Sequence, residues 1–117
     1  FFGGQGDFDS SNYILKMICS GVNLCGSSTI RDSLDILEFC TLYIGNDTGW
    51  LHIASALGLR CLALFMDSPV MAYGKYSKNI SIIVPEGETE ETTTHDTLGK
   101  DKISFEKVLE NSLRLIN

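Results

Sequence analysis

Leu42-Tyr43-Ile44-Gly45-Asn46-Asp47-Thr48-Gly49-Trp50-Leu51-His52-Ile53-Ala54-Ser55-Ala56-Leu57-Gly58 passes from an apolar run through a turn of small polar residues into a short apolar helix pattern closed by glycine. Cys61-Leu62-Ala63-Leu64-Phe65 follows as an unbroken apolar run, the pattern of a strand covered on both faces. Strand, glycine turn, helix, glycine stop and buried strand make one β-α-β unit, which implies parallel pairing and a right-handed crossover.

Upstream, Phe1-Phe2 reads as the end of a strand that runs into the turn Gly3-Gly4-Gln5-Gly6. Asp9 or Ser10 then caps a helix through about Ser20, with Tyr13, Ile14, Met17 and Ile18 on one face and Gly21 as its stop. Val22-Asn23-Leu24-Cys25 is a short strand ended by Gly26-Ser27-Ser28. A second helix spans about Thr29 to Cys40, with Ile30, Leu34, Leu37 and Thr41 at core spacing and Arg31, Asp32, Asp35 and Glu38 outward. Downstream, a loop with Pro69 and Gly74 leads to a last strand, Ile80 to Val84, which Pro85 stops. The Glu/Thr-rich segment 86–101 has the composition of a mobile acidic loop. Ser104 caps a final helix with Phe105, Val108, Leu109, Ser112 and Ile116 as one stripe and Lys107, Glu110 and Arg114 facing water. The alternation predicts an α/β fold, a parallel sheet with helices on both faces, whose ligands bind beyond the carboxyl ends of the strands.

Hydrophobic residues at 44%, charged at 21% and aromatic at 9% in 117 residues fit one soluble globular domain, 1–117, with a real core. No apolar run approaches the roughly 20 residues of a membrane span. The start, Phe1-Phe2-Gly3-Gly4, lacks an initiator Met and a signal-peptide pattern, so the chain reads as a fragment of a longer protein. Of the fifteen acids behind the net charge of −6, five lie in 86–96, which holds no Lys or Arg, so the remainder is nearly neutral. Without a basic stripe, nucleic acid is not an expected partner. Cys19, Cys25, Cys40 and Cys61 form no C-x-x-C and the chain has only two histidines, so no metal site is expected. Buried free thiols in a reducing cytoplasm are the expectation.

The three glycine-bearing turns, at 3–7, 25–28 and 45–49, each follow a strand and precede a helix. The third is the most informative: free backbone N–H groups at a helix N-terminus hold anions, Gly49 has no Cβ to block a phosphate, and His52 returns to the face of the first turn. Spacing alone also allows Asp47 and Thr48 to be simple caps, His52 a packed histidine and Asp7 a solvated turn residue. The first turn lacks the third glycine of a dinucleotide fingerprint.

Val22 to Tyr76 resembles the C-terminal domain of glycosyltransferase family 9, the ADP-heptose:lipopolysaccharide heptosyltransferase family. Leu24 to Ile30 resembles its strand end, Gly turn and helix start, and Ile44 to Gly58 resembles its signature almost residue for residue. Leu64-Phe65, Ser68, Tyr73-Gly74 and Tyr76 resemble more loosely the run that follows, and Gly3-Gly4 with Asp7 an upstream strand turn.

The resemblance implies a Rossmann-like three-layer αβα domain, the C-terminal half of a two-domain GT-B fold that holds a nucleoside-diphosphate-sugar donor. By it, Asp47, Thr48, Gly49 and His52 meet the diphosphate region, Asp7 accepts from ribose hydroxyls, and the turn from Gly26 to Ser28 lies along the base. Asp47, a carboxylate, fits a sugar hydroxyl, a cation or a loop-orienting role better than a phosphate. The implied reaction is inverting sugar transfer to a lipid-linked saccharide acceptor by the full-length protein. The catalytic base belongs to the missing N-terminal domain, so none is assigned here and the isolated chain is expected to be inactive. No cofactor is implied, since the donor, ADP-heptose by the family's name, is a substrate. The implied place is the cytoplasm, at the inner face of the inner membrane of a bacterium. Trp50, where the family carries a small residue or Pro, and Met66, where it carries Gly, are departures that leave the sugar open. A receiver-like domain with Asp47 as phosphoacceptor, or another Rossmann-type binding domain without transferase activity, is the alternative.

Overall fold

The computed structural model describes residues 1–117, and the chain forms two compact units, Phe1–Phe39 and Cys40–Asn117. In the first, the segments 1–3 and 22–26 run alongside one another. The Phe1 ammonium donates to the Val22 carbonyl (2.8 Å), the Leu24 amide to Phe1 (2.9 Å) and the Gly26 amide to Gly3 (3.0 Å), the alternation of a parallel pair. Neither expected strand reaches regular geometry. The Asn23 side chain competes for the backbone: its Oδ1 accepts the Cys25 amide at 3.0 Å, and its Nδ2 donates to the Phe8 carbonyl (2.9 Å) and to Asn12 Oδ1 (2.8 Å).

A 3-10 turn, Gln5–Asp7, leads into α1 (Phe8–Ile18). Its buried residue is Ser11, with Oγ 3.3 Å from Cys25 Sγ, while Tyr13, Ile14, Met17 and Ile18, expected to face a core, are exposed. The helix stops earlier than Gly21, at Cys19, which takes the left-handed conformation at φ 54°. In α2 (Ile30–Leu37), Thr29 and Asp32 form a reciprocal capping box, and the hydrogen bonds from Thr29 hold the Asp32 carboxyl below its ordinary range. α2 buries Ser33 and Leu37; Ile30, expected in the core, is exposed, and the helix ends short of Cys40.

The second unit contains β1 (Leu42–Asn46), α3 (Gly49–Ala56), β2 (Arg60–Leu64), α4 (Val70–Tyr73), β3 (Ile80–Ile83) and α5 (Phe105–Ile116). The strands form one sheet in the order β1-β2-β3, both pairs parallel, with Asn46 opposite Leu64 and Leu64 opposite Ile83. The α/β class and parallel pairing expected from the sequence are present, in a sheet of three strands. On the central strand Cys61, Leu62 and Ala63 are fully buried; successive side chains point to opposite faces, so both faces are covered. α3 and α5 both pack against β1 and β2.

α3 ends in a paired closure, Gly58 amide to Ser55 carbonyl (3.0 Å) and Leu59 amide to Ala54 carbonyl (3.1 Å), which Gly58 permits at φ +82°. Asn79 ties that end to the sheet, its Nδ2 donating to the carbonyls of Ser55 (3.0 Å) and Leu59 (2.6 Å). The loop expected between Pro69 and Gly74 contains the one-turn helix α4. Segment 86–101 holds no helix or strand, in keeping with its composition, and its turns are tied to the rest of the unit: Gly99 amide to Met66 carbonyl (2.8 Å), Lys75 Nζ to Glu90 Oε2 (2.5 Å) and His95 Nδ1 to the Asp67 carbonyl (3.1 Å). Ser104 caps α5 as expected, accepting the Lys107 amide at 3.3 Å. The inward line of α5 is displaced from the expected stripe: Ser112 is buried and Val108 and Leu115 half-buried, whereas Phe105, Leu109 and Ile116 are exposed. Arg60 Nη1 donates to the Leu115 carbonyl at 2.5 Å near the end of the helix.

All four cysteines are free; Cys25 and Cys61 are buried, Cys40 is half-buried and Cys19 is exposed, so the expectation of burial holds for half of them. Native protein therefore exposes Cys19 to a thiol reagent at once and Cys40 more slowly, with Cys25 and Cys61 reacting only on unfolding, a sequence that timed alkylation and mass mapping reads directly. Burial pushes the Cys61 thiol up to about 11 from 9.0. Between those values the folded chain keeps a proton that the unfolded chain has lost, so this thiol lowers stability as pH rises from 9.0 to about 11. Cys61→Ala should flatten that part of an alkaline denaturation profile, at a cavity cost of about 1 kcal/mol at all pH values.

Candidate functional site

β1 ends at Asn46 and α3 begins at Gly49, which leaves Asp47 and Thr48 as the turn at the carboxyl end of the strand. Thr48 is the N-cap by position, extended at φ −139° and ψ 171°, yet its side chain makes no capping hydrogen bond. Its hydroxyl is near enough to the Tyr43 phenol to work against the rise that burial imposes on that group. Tyr43 and Gly45 lie on the same face of β1, and the Tyr43 hydroxyl sits 2.5 Å from where a Gly45 Cβ would be, so Gly45 clears the path of that phenol. Burial raises the Tyr43 pKa, partly offset by Thr48.

Thr48 therefore does not cap the start of α3 with its side chain. The Gly49 amide is among the first N–H groups of the helix, which have no intrahelical acceptor, and the helix dipole makes that end electropositive. Nothing in the protein lies within 4 Å of where a Gly49 Cβ would point. Neither backbone conformation nor packing demands glycine there.

His52, on the first turn of α3, is held from both sides. Its Nε2 lies 3.3 Å from Asp47 Oδ1 and its Nδ1 2.7 Å from the Tyr76 hydroxyl, with the two ring centroids 5.6 Å apart. A neutral imidazole has one donor and one acceptor, so an Nε2–H given to the carboxylate leaves Nδ1 to accept the phenol proton. The Asp47 side chain is 12% exposed and that of His52 40%, which places the carboxylate inside and the imidazole at the surface. The structure thus brings Asp47, Thr48, Gly49 and His52 together in one turn, as expected, and adds Tyr43 and Tyr76 as their supports.

A cleft of about 520 Å³ opens beside this turn, lined by Asn46, Asp47, Leu64, Met66, Asp67, Ser68, His95 and Lys100. Asp67, His95 and Lys100 carry no motif that marks them in the sequence. No group of three or more His, Cys, Asp or Glu side chains is arranged to hold a metal ion.

The remaining expected residues belong to the N-terminal unit, where each has a structural task. Asp7 Oδ2 accepts the Gly4 amide at 2.9 Å, and a Gly3 Cβ would lie 2.7 Å from the same oxygen. Gly26 has φ +68°, and a Cβ there would meet Gln5 Cα at 2.9 Å. Ser28 Oγ lies 2.9 Å from Ser33 Oγ and 3.4 Å from the Leu24 carbonyl.

The model of the family described as glycosyltransferase family 9 (heptosyltransferase) matches residues 1–102. Lipooligosaccharide heptosyltransferase 2 of Haemophilus influenzae is 36% identical over 51 residues, 44% of this chain and 14% of the relative. The Campylobacter jejuni protein of the same name is 37% identical over 43 residues, 37% of this chain and 14% of its own. Among solved structures, E. coli ADP-heptose LPS heptosyltransferase II superposes with a TM-score of 0.74 at 24% identity, over 98% of this chain and 35% of that one. The family 9 glycosyl transferase of Veillonella parvula superposes at 0.76 and 19% identity, over 99% and 36%. The chain thus spans about a third of the solved structures that share its fold.

Tyr76→Phe tests the bridge that holds His52. Nitrogen NMR of the neutral imidazole should show the Nε2–H form alone in the parent and a mixture of tautomers in the variant. Tyr76 is 58% exposed, so the stability loss should stay below about 1 kcal/mol. A His52 still wholly protonated at Nε2 in the variant would mean that Asp47 fixes the ring unaided.

Proposed function

Since the chain belongs to glycosyltransferase family 9, the heptosyltransferase family, we propose that it is the nucleotide-sugar-binding part of a transferase that moves a sugar from a nucleoside diphosphate to a lipid-linked saccharide. The observation that carries this reading is the turn Asp47-Thr48-Gly49, open at the N-terminus of α3 and beside a cleft that contains Asp47. Family membership displaces the receiver-like alternative.

In this reading the Gly49 amide and the positive end of α3 face the donor diphosphate, whose charge grows as the glycosidic bond breaks. Donors already aimed at that charge stabilise the departing group without reorganising. Asp47, with one oxygen against His52 Nε2, faces sugar hydroxyls rather than phosphate. His52, positioned by Asp47 and Tyr76, presents its exposed edge to the same ligand. ADP-heptose is the donor that the E. coli relative's name suggests, and inversion at the sugar carbon is the stereochemistry that the family resemblance implies. The base for the acceptor hydroxyl is assigned to the partner domain of the full-length protein, so residues 1–117 alone should bind donor without turnover. Asp7, Gly26 and Ser28 stay candidates for the nucleoside, each acting from a position that its own structural hydrogen bonds or packing already fix.

Gly49→Ala separates ligand binding from folding. Alanine suits a helix better than glycine by up to about 1 kcal/mol, and here its Cβ meets no protein atom. Thermal stability should therefore hold or rise while the Kd for ADP, measured by calorimetry beside UDP and GDP, weakens by about tenfold, or 1.4 kcal/mol. Thr48→Ala/His52→Ala should weaken the same diphosphate. Equal affinity in the parent and both variants would remove the donor reading from this turn.

A further inference from the structure

The acidic segment 86–101, downstream of the stretch Ile44 to Gly58, forms one wall of the cleft. His95 and Lys100 line it, opposite residues that leave the ends of β1 and β2: Asn46 and Asp47 from the first, Met66, Asp67 and Ser68 from the second. The wall is anchored on both sides of Lys100. The Gly99 amide donates to the Met66 carbonyl at 2.8 Å, the Lys102 amide to Gly99 at 3.0 Å, and the Glu86 amide to Lys102 at 2.7 Å. Upstream, His95 Nδ1 meets the Asp67 carbonyl at 3.1 Å and its ring faces Tyr73, with centroids 6.4 Å apart.

Gly99 is buried, and a Cβ on it would lie 2.6 Å from Pro85 Cβ and 3.0 Å from the Met66 carbonyl. Only glycine lets the segment lie this close to the end of β2, and the residue that follows it is the cleft's one lysine. Asp47, Asp67, Asn46 and Ser68 are acceptors and donors suited to hydroxyls, with Leu64 and Met66 as apolar surface. Carboxylates alone would repel a phosphate; Lys100 is the point charge that makes the same cleft able to take a hydroxylated ligand that also carries one.

We infer that segment 86–101 is a ligand-binding element, in which Lys100, placed by Gly99, contacts a phosphate of the sugar-diphosphate donor while the cleft's carboxylates take sugar hydroxyls. This rests on the donor reading of the neighbouring turn and adds to it a binding residue outside the Asp47 to His52 signature.

The test is calorimetric titration of the full-length protein with ADP and with ADP-heptose at two salt concentrations. Lys100→Met should weaken both probes about tenfold, the scale of one charge-assisted hydrogen bond, and flatten the salt dependence. Lys100→Arg should recover most of the affinity. Gly99→Val, which lifts the segment, should cost as much as Lys100→Met, and combining the two should cost little more. If Gly99→Val does not fold, the lysine variants decide alone. A parent that binds ADP-heptose and a Lys100→Met variant that binds it equally well would overturn this inference and leave the donor site standing; a parent that binds neither probe would overturn both.

Discussion

Parallel pairing of β1 with β2 is the constraint from which the site follows. In an antiparallel pair the exits of the two strands lie at opposite edges; in a parallel pair in this register, Asn46 beside Leu64, both exits lie at the same edge. The chain leaving β1 supplies Asp47, Thr48 and Gly49, and the chain leaving β2 supplies Met66, Asp67 and Ser68. Because β3 is also parallel to β2, with Ile83 beside Leu64, its exit delivers Pro85 and Glu86 to that edge, where Gly99 packs and Lys102 accepts. The first two strand ends therefore line one cleft with the segment that carries His95 and Lys100, the third anchors that segment, and Cys61, Leu62 and Ala63 lie buried between two covered faces of the sheet.

The turn after β1 owes its chemistry to a residue that never reaches the cleft lining. Tyr43 extends along the strand, over the space that Gly45 leaves, towards the Thr48 hydroxyl, which works against the rise that burial imposes on the phenol. A threonine at an N-cap ordinarily spends that hydroxyl on the helix's own amides. Here the Thr48 side chain makes no capping hydrogen bond. One oxygen of Asp47 lies against His52.

What could be read from the sequence was local. The strand, turn and helix from Leu42 to Gly58 and the run from Cys61 are each coded by consecutive residues, and they appear within a residue or two of the expected bounds. Ser104 as a cap is equally local. The failures have long-range causes. The first expected strand pair is joined by three backbone hydrogen bonds without reaching regular strand geometry, and Asn23 ties it to Phe8 and Asn12 through its side chain. α5 turns Ser112 inward and leaves Phe105, Leu109 and Ile116 exposed, and Arg60 reaches its Leu115 carbonyl across 55 positions. α4, at four residues, is too short to show a helical period. Within the site, Asp47, Thr48, Gly49 and His52 were legible as a motif, whereas Tyr76, 24 positions from His52, and Lys100 were joined to them only by the fold.

The glycines sort the constraints that the fold imposes from those that it does not. Gly26 and Gly99 are crowded by Gln5 and by Pro85, so a side chain at either is refused by the protein itself. Gly45 is refused by the Tyr43 phenol, whose own position serves the turn. Gly49 is refused by nothing: its backbone is helical, and the space beside it is empty of protein. A glycine costs helix stability relative to alanine, so at this position the folded chain gives no return for it. The space beside the first helical amide is therefore open, and that amide together with the helix dipole makes this end of α3 electropositive.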